Sequence, residues 1–345
     1  MVGRWTEGFE THQTLTQWAR RYATATGGFA IQAGRVFGSS GSLQGTVFIA
    51  PAFPLADTWG VAFGVNFIAQ TGALVAGDGL YIEKGGAEQF HLEFVKNAAS
   101  FEVKLMRGAT QLAISSATYG YNAWHHFEIK VTVHTSTGAY ELRHNEVAVF
   151  SASGVNTANA GSNQADGFAI RFTNTSTNNR FDDIGVWDGT GSFANDFCGD
   201  CAVKGIEVTG AGAAAQWTPS AGSNFDNVND SGAATPDDVG AGGFNGSGTV
   251  GQQDLYAFSD VSPDIQGNIL WVQLDTQLAM AAAGSRNVDT RYRDPSTSVV
   301  DIATHAVANT AYASVADVMS ANPFDSLAWD VADVDGGQFG VELAT

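Results

Sequence analysis

The stretch WHHFEIKVTVH, residues 124–134, holds three of the chain's seven histidines and a glutamate. Those residue types could ligate a metal or exchange protons, and the element carrying them decides which. Phe127, Ile129, Val131 and Val133 fall on one face of a period-two pattern, with His126, Glu128, Lys130, Thr132 and His134 on the other. Along an extended strand His126 and His134 are ~26 Å apart and cannot share a metal. His125 and His126, being adjacent, point to opposite faces. The expectation is an amphipathic strand whose polar groups face water.

Two cysteines, Cys198 and Cys201, make one CxxC. Zinc normally takes four ligands, and no second CxxC or suitably spaced histidine pair accompanies this one. A redox motif would start a helix after a strand, whereas ANDFCGDCAVKGIEV leads into β-branched residues. A local disulfide between Cys198 and Cys201, an inter-subunit bridge and two inert thiols remain open. The best carboxylate clusters are DDIGVWD at 182–188 and DNVND at 226–230. Either could hold Ca²⁺, though neither fits the EF-hand pattern, and Asx-turn hydrogen bonding competes.

A retaining glycosidase needs two carboxyls ~5 Å apart. EKGGAE at 83–88 has two glutamates but lacks the central Asp of a Glu-x-Asp-x-x-Glu arrangement and sits at a glycine turn. There is no GxSxG, no Walker loop and no HExxH, and the glycines of GFNGSGTVG read as loop. The chain is expected not to be an enzyme, and no catalytic, cofactor-binding or metal-ligating residue is assigned.

The elements that would position such groups are strands. VAFGVNFIA, FHLEFVK and FEVKLMR alternate, the last two joined through NAAS, and YELRHNEVAVF continues the opening strand as a hairpin. Tyr140 and Leu142 are expected to face Val133 and Val131. Scarce leucine, 41 glycines and only 15% charged residues in 345 likewise favour short strands and tight turns. A length of 345 suits two domains. The segment GTGSFANDFCGDC reads as their boundary, and a Gly/Ser/Asp-rich loop follows near 210–252, punctuated by Trp217, Phe225 and Phe244. SVADVMSANP and LAWDVADVDGG read as short helices within the otherwise β-rich second half.

Residues 1–200 carry 17 acidic and 12 basic side chains, and residues 201–345 carry 18 and 4, within a net charge of −19. That sign disfavours nucleic acid and anionic membranes as partners. No stretch has the apolar length of a membrane span. The opening MVGRWTEGFETHQ lacks an apolar h-region, so no Sec signal is expected.

The segments AWHHFEIKVTVHTSTGAYELRHNEVAVFSASGVNT and FDDIGVWDGTGS, with GFETH and GRVFGSSGSLQ before them, resemble a concanavalin A-like (laminin G-like) jelly-roll domain. Further on, NDFCGDCAVKGIEVTGAGAAAQWTPSAGSNFDNVND, TVGQQDLYAFSDV, AAAGSRNVDTRYR and ANPFDSLAWDVADVDGGQFGVEL resemble tailed-bacteriophage and prophage virion proteins. The resemblance implies an all-β chain of two β-sandwich domains. A concanavalin A-like jelly roll would occupy residues 1–192, and a C-terminal β-rich domain with short helical turns residues 193–345. Aliphatic residues are expected where Cys198 and Cys201 stand, which points to a bond between them or to a neighbouring subunit.

The implied role is a structural component of a tailed-phage virion: a capsid decoration or head-fibre protein, or a tail or baseplate fibre subunit. It would be assembled in the host cytoplasm with other virion proteins, as a homo-oligomer and first of all a trimer. No cofactor is implied, Ca²⁺ at the Asp clusters excepted. The alternative is a carbohydrate-binding adhesin for host surface glycans, with Trp59, Tyr119, Tyr121 and Trp124 as candidate stacking faces.

Overall fold

A computed structural model describes residues 2–8, 24–37, 39–49, 53–68, 74–159, 161–172, 179–191, 196–229, 243–265 and 267–345. The chain is all-β and divides into two compact units, Met1–Val203 and Lys204–Thr345. Most of GFETH lies outside the described residues. Among the described residues no helix is long and apolar enough to cross a membrane.

The first unit is a jelly-roll β-sandwich. One layer runs Val147–Val155, Gly138–His144, His125–Thr132, Thr58–Phe67, Asn179–Asp188, Val2–Glu7. The other runs Thr110–Ile114, Ser100–Arg107, Ala87–Asn97, Gly79–Lys84, Gly167–Arg171, Ser39–Ile49, Thr24–Ala33. Asn179–Asp188 joins the layers, because Asn179–Phe181 also pair with Leu43–Gly41. Alternation supplies the core. Phe63 and Phe67 meet Phe94 from the opposite layer at ring separations of 6.1 and 5.0 Å, and Phe67 meets Phe101 at 4.9 Å. Their edge-on geometry is the one aromatic quadrupoles favour.

The hairpin after the histidine-rich strand forms with a shifted register. Tyr140 faces Val131 and Leu142 faces Ile129, two residues from the expected partners. The shift is even, so every side chain keeps its expected face. The other hairpin pairs Asn97 with Ser100 around a two-residue turn, with Ala98 at φ 50°.

The second unit contains a five-stranded sheet, in the order Val208–Ala215, Gln253–Phe258, Gln338–Leu343, Arg286–Arg293, Val299–Val307. A separate two-stranded ladder pairs Val272–Leu278 with Ala313–Met319. Two expectations are corrected. VTGAGAAA opens the supposed loop as a strand, because Gly212 lets the backbone approach Leu255, where an added Cβ would meet the carbonyl oxygen at 2.5 Å. SVADVM is a strand rather than a helix, since Ala313–Met319 finds a full ladder partner. The helix Val331–Asp335 forms as expected, with a capping box between Asp330 and Asp333.

A buried polar link joins the ladder to the sheet in this unit. Asp317 accepts from Thr290 Oγ1 at 2.6 Å and pairs with His305 Nε2 at 2.9 Å. The hydrogen bond to Asp317 raises the His305 pKa, and burial opposes it. A raised imidazole pKa means stability that is fully present below the ordinary value and lost as pH climbs through the folded one. Denaturant unfolding of the second unit is therefore expected to weaken by ~1 kcal/mol over that window. His305→Gln should flatten the profile.

Candidate functional site

Two polar clusters occupy the outer faces of the jelly roll. The first begins at a β-bulge in Asn179–Asp188, where the register slips between Asp182 and Gly185. Asp183 takes φ 52°, a left-handed conformation that Asp tolerates better than most residues. The bulge brings two fully buried carboxylates to Arg35. The Arg35 backbone N–H donates to Asp182 at 2.6 Å, and its Nε donates to Asp183 at 2.7 Å. Gly64 makes the crossing possible, since a Cβ there would lie 2.8 Å from Arg35 Cδ.

Arg35 then reaches residues 196–203. Its Nη1 donates to Asp200 at 2.6 Å and its Nη2 donates to the Cys201 carbonyl. This segment is a strap across the histidine-rich strand. Cys198 and Gly199 N–H both donate to Glu128 Oε1, at 2.6 and 3.2 Å, and Val203 N–H donates to Asp183 at 2.7 Å. Phe197 lies under the Arg143 guanidinium, 3.7 Å from carbon to ring centroid.

His126 and Glu128, expected to face water, are therefore only 2% and 1% exposed. Alternation chose their face correctly, but the strap covers it. His126 Nε2 lies 3.8 Å from Cys201 Sγ, and its Nδ1 lies 3.8 Å from Asp200 Oδ1 without a hydrogen bond. Glu128 Oε2 is buried without a hydrogen-bond partner. Cys198 and Cys201 are half-buried free thiols.

The electrostatics follow from this crowding. Burial, and then Cys201, push Glu128 up to about 7. Burial, and then Asp183, push Asp182 up to about 8, while Asp183 is raised by burial against the pull of Arg35. A hydrogen bond from the Cys198 thiol, helped by His126 and opposed by burial, lowers Cys201 to about 6. The same bond pushes Cys198 far up.

The remaining histidines of the opening motif do other work. His125 Nδ1 meets His144 Nε2 at 3.0 Å, and His125 Nε2 meets the Gly120 carbonyl at 2.9 Å. Burial lowers His144 to about 4 and lowers His125 as well, so this is a neutral core pair. His134 caps its own turn, accepting from Ser136 and Thr137 N–H at 3.1 and 3.0 Å.

The second cluster lies on the opposite layer. Tyr81 stacks on His91 at 4.5 Å, and the Arg171 guanidinium lies 4.5 Å from the Tyr81 centroid. Arg171 donates to Glu83, and Glu88 bonds His91 Nδ1 at 2.8 Å and the Gly108 N–H at 2.7 Å. Tyr81 donates to the Gly77 carbonyl at 2.6 Å, and burial, then Glu88, push its hydroxyl up to about 12. The two glutamates of EKGGAE are thus spent on Arg171 and His91. Sequence reading missed Tyr81, His91 and Arg171. Alternation within each strand was the available signal, but it could not pair one strand with another.

The candidate stacking faces are corrected. Trp59 is 1% exposed and donates from Nε1 to the Ala56 carbonyl at 3.0 Å, and Tyr119 is 5% exposed in the same core. Tyr121 packs on that core, 6.0 Å from Phe101. Core packing leaves Trp59 and Tyr119 no free ring face, while Tyr121 and Trp124 are only partly buried. The Asp clusters are engaged internally as well. Asp188 accepts from Thr190 N–H and Oγ1 in an Asx-type turn, and Asp226 accepts from Ser223 N–H and Oγ three residues before it. Residue 230 of DNVND lies outside the described residues. Among the described residues no group of three or more His, Cys, Asp or Glu is arranged to hold a metal ion.

No family model and no curated protein matches the sequence. Solved structures do resemble the chain. An alginate lyase, Aly36B, is 11% identical with a TM-score of 0.37, over 54% of this chain and 92% of that one. An endo-β-1,4-glucuronan lyase from the fungus Trichoderma reesei is 10% identical with a TM-score of 0.37, over 54% and 95%. Domain 4 of an extracellular arabinanase from Geobacillus stearothermophilus, in complex with arabinotriose, is 13% identical with a TM-score of 0.38, over 55% and 94%. At such identity the likeness is one of fold. It also corrects the expectation that the chain is not an enzyme: the two lyases are enzymes, and the fold is shared by enzymes and binding domains alike.

Proposed function

We propose that the first unit recognises acidic glycans through the Arg171–Tyr81–His91 face, and that the whole chain serves on the surface of a tailed-phage particle. The first part is carried by the Arg171 guanidinium, held over Tyr81 with Glu83 as its anchor. Largely buried ion pairs add little net stability, so a fixed arrangement of Arg171, Glu83, Glu88 and His91 is better accounted for by recognition. A guanidinium fork matches a carboxylate in two parallel hydrogen bonds. With Trp59 and Tyr119 in the core, selectivity here rests on charge and hydrogen bonding.

Calorimetric titration with uronate-containing and neutral oligosaccharides tests this reading. The acidic ones are expected to bind, and Arg171→Gln to weaken them about tenfold or more while circular dichroism is unchanged. No binding by any acidic or neutral host-surface glycan would sink it. Absorbance from unsaturated uronide products, followed in the same mixtures, reads whether bound chains are also cleaved.

The second part rests on the second-half motifs that resemble virion proteins, joined to a first half that resembles a jelly roll. Immunogold microscopy of purified particles, with antibody against residues 200–345, separates a capsid from a tail position. Unlabelled particles whose dissociated subunits do bind the antibody would remove the virion assignment. Sedimentation of the purified chain reads whether it forms the trimer.

A further inference from the structure

We propose that Cys198 and Cys201 form a thiol–disulfide exchange site on the strap, with Cys201 the attacking sulfur, Cys198 the resolving thiol and His126 the positioning donor. Three observations meet here. The two thiols sit in one turn, with Gly199 at φ 79° between them and its carbonyl accepting from the Cys201 N–H at 2.8 Å. His126 Nε2 is 3.8 Å from Cys201 Sγ, within N–H···S reach, and its Nδ1 has no hydrogen bond. An Nε2–H tautomer would point its proton at the sulfur. Both cysteines are half-buried rather than sealed.

A purely structural strap would not need this arrangement. Its fastening is supplied by Arg35, Glu128 and Asp183 through the Asp200 carboxylate, the Cys201 carbonyl and the backbone N–H groups of Cys198, Gly199 and Val203. Neither sulfur takes part in those bonds. Two buried polar atoms, His126 Nδ1 and Glu128 Oε2, nevertheless make no hydrogen bond beside the thiols, a costly feature in a site that only packs. Reactive CxxC pairs commonly lower a thiol pKa at a helix N-terminus. Here a neighbouring thiol and a histidine do so instead, which is why the strand-like context conceals the site. The other charged groups around it are Glu128, Asp183, Asp200, Glu146 and Arg35.

The chemistry is thiol–disulfide exchange with a low-molecular-weight disulfide, RSSR. The Cys201 thiolate attacks one sulfur, a Cys201–SR bond forms, and RS⁻ leaves and takes a proton from solvent. Cys198 then attacks the Cys201 sulfur, and the second RS⁻ leaves with the Cys198 proton. Two protein thiols are oxidised to one disulfide while RSSR is reduced to two RSH.

The test uses the full chain in glutathione buffers of rising oxidised fraction, quenched by alkylation and read by intact mass. Both thiols are expected to disappear together, with no glutathione retained. Cys198→Ser should trap one glutathione on Cys201, while Cys201→Ser should form its adduct at Cys198 about tenfold more slowly or less. His126→Gln should slow the first step about tenfold at pH 7 with circular dichroism unchanged. Should a variant fail to fold, peptide mapping of the transient wild-type adduct decides which cysteine attacks. The proposal is overturned by a transient adduct at Cys198 in the wild type, by independent alkylation of the two thiols under fully oxidised glutathione, by disulfide-linked dimers in place of the internal bond, or by a zinc ion in the purified protein protecting both.

Discussion

Replacing Arg35 by methionine is expected to destabilise the first unit by about 3 kcal/mol at pH 8. The guanidinium ties the bulge carboxylate Asp183 to Asp200 and the Cys201 carbonyl on the strap, and Asp183 is fully buried. Without it, Asp182 and Asp183 stand side by side with no cation, and removing one partner of a buried pair leaves the other's charge uncompensated. The loss should depend on pH, with a definite sign. Both aspartates already have raised pKa values, Asp182 about 8. Their folded-state advantage is therefore present at low pH and is lost as pH rises toward and through 8. Arg35→Met should cost much less at pH 5, where the pair takes up protons. Arg35→Met with Asp183→Asn should recover most of the loss, since both charges go and Asn also tolerates the left-handed conformation. Hydrogen exchange of the Thr58–Phe67 amides, which pair with the bulge strand, localises the effect to this unit. A cost below about 1 kcal/mol that does not vary with pH would show that Arg35 does not fasten the strap.

How far such an arrangement is legible in a sequence depends on which separation carries the information. Phe127, Ile129, Val131 and Val133 were readable because alternation is local, and they are core residues. The same alternation put His126 and Glu128 on the outer face, but what covers that face lies seventy residues away at Cys198 and Gly199. Asp182 and Asp183 suggested Ca²⁺ or a turn because their partner, Arg35, is 148 residues from Asp183. Val208–Ala215 reads as loop in the sequence because its side chains carry almost no apolar contrast. Its strand is dictated instead by the ladder with Gln253–Phe258 and the close approach at Gly212. The C-terminal SVADVM pattern suits helix or strand alike, and only the partner Val272–Leu278 decides between them.

Glu128→Gln is expected to act in the opposite direction, making the first unit more stable than wild type by about 2 kcal/mol at pH 8. The carboxylate is 1% exposed, and its pKa rises from the ordinary 4.5 to about 7. A raised carboxyl pKa means that folding benefits from the protonated form. Below pH 4.5 folded and unfolded chains are both protonated there, and the advantage over the ionised state is intact. It is lost as pH rises through 7. Glutamine keeps an oxygen for the Cys198 and Gly199 N–H groups and cannot ionise, so the decline between those values should vanish in urea unfolding. The substitution also removes the negative charge that Cys201 meets as a thiolate. Cys201 should then alkylate faster at pH 7, where the wild-type carboxyl is about half ionised, although the fold around it is firmer. Stability and thiol reactivity rising together would set Glu128 apart from a structural cap, whose loss lowers stability and leaves thiol chemistry unchanged. A variant less stable at pH 8 would mean that the ionised carboxylate is the strap's anchor, and would reverse the order of ionisation within the cluster.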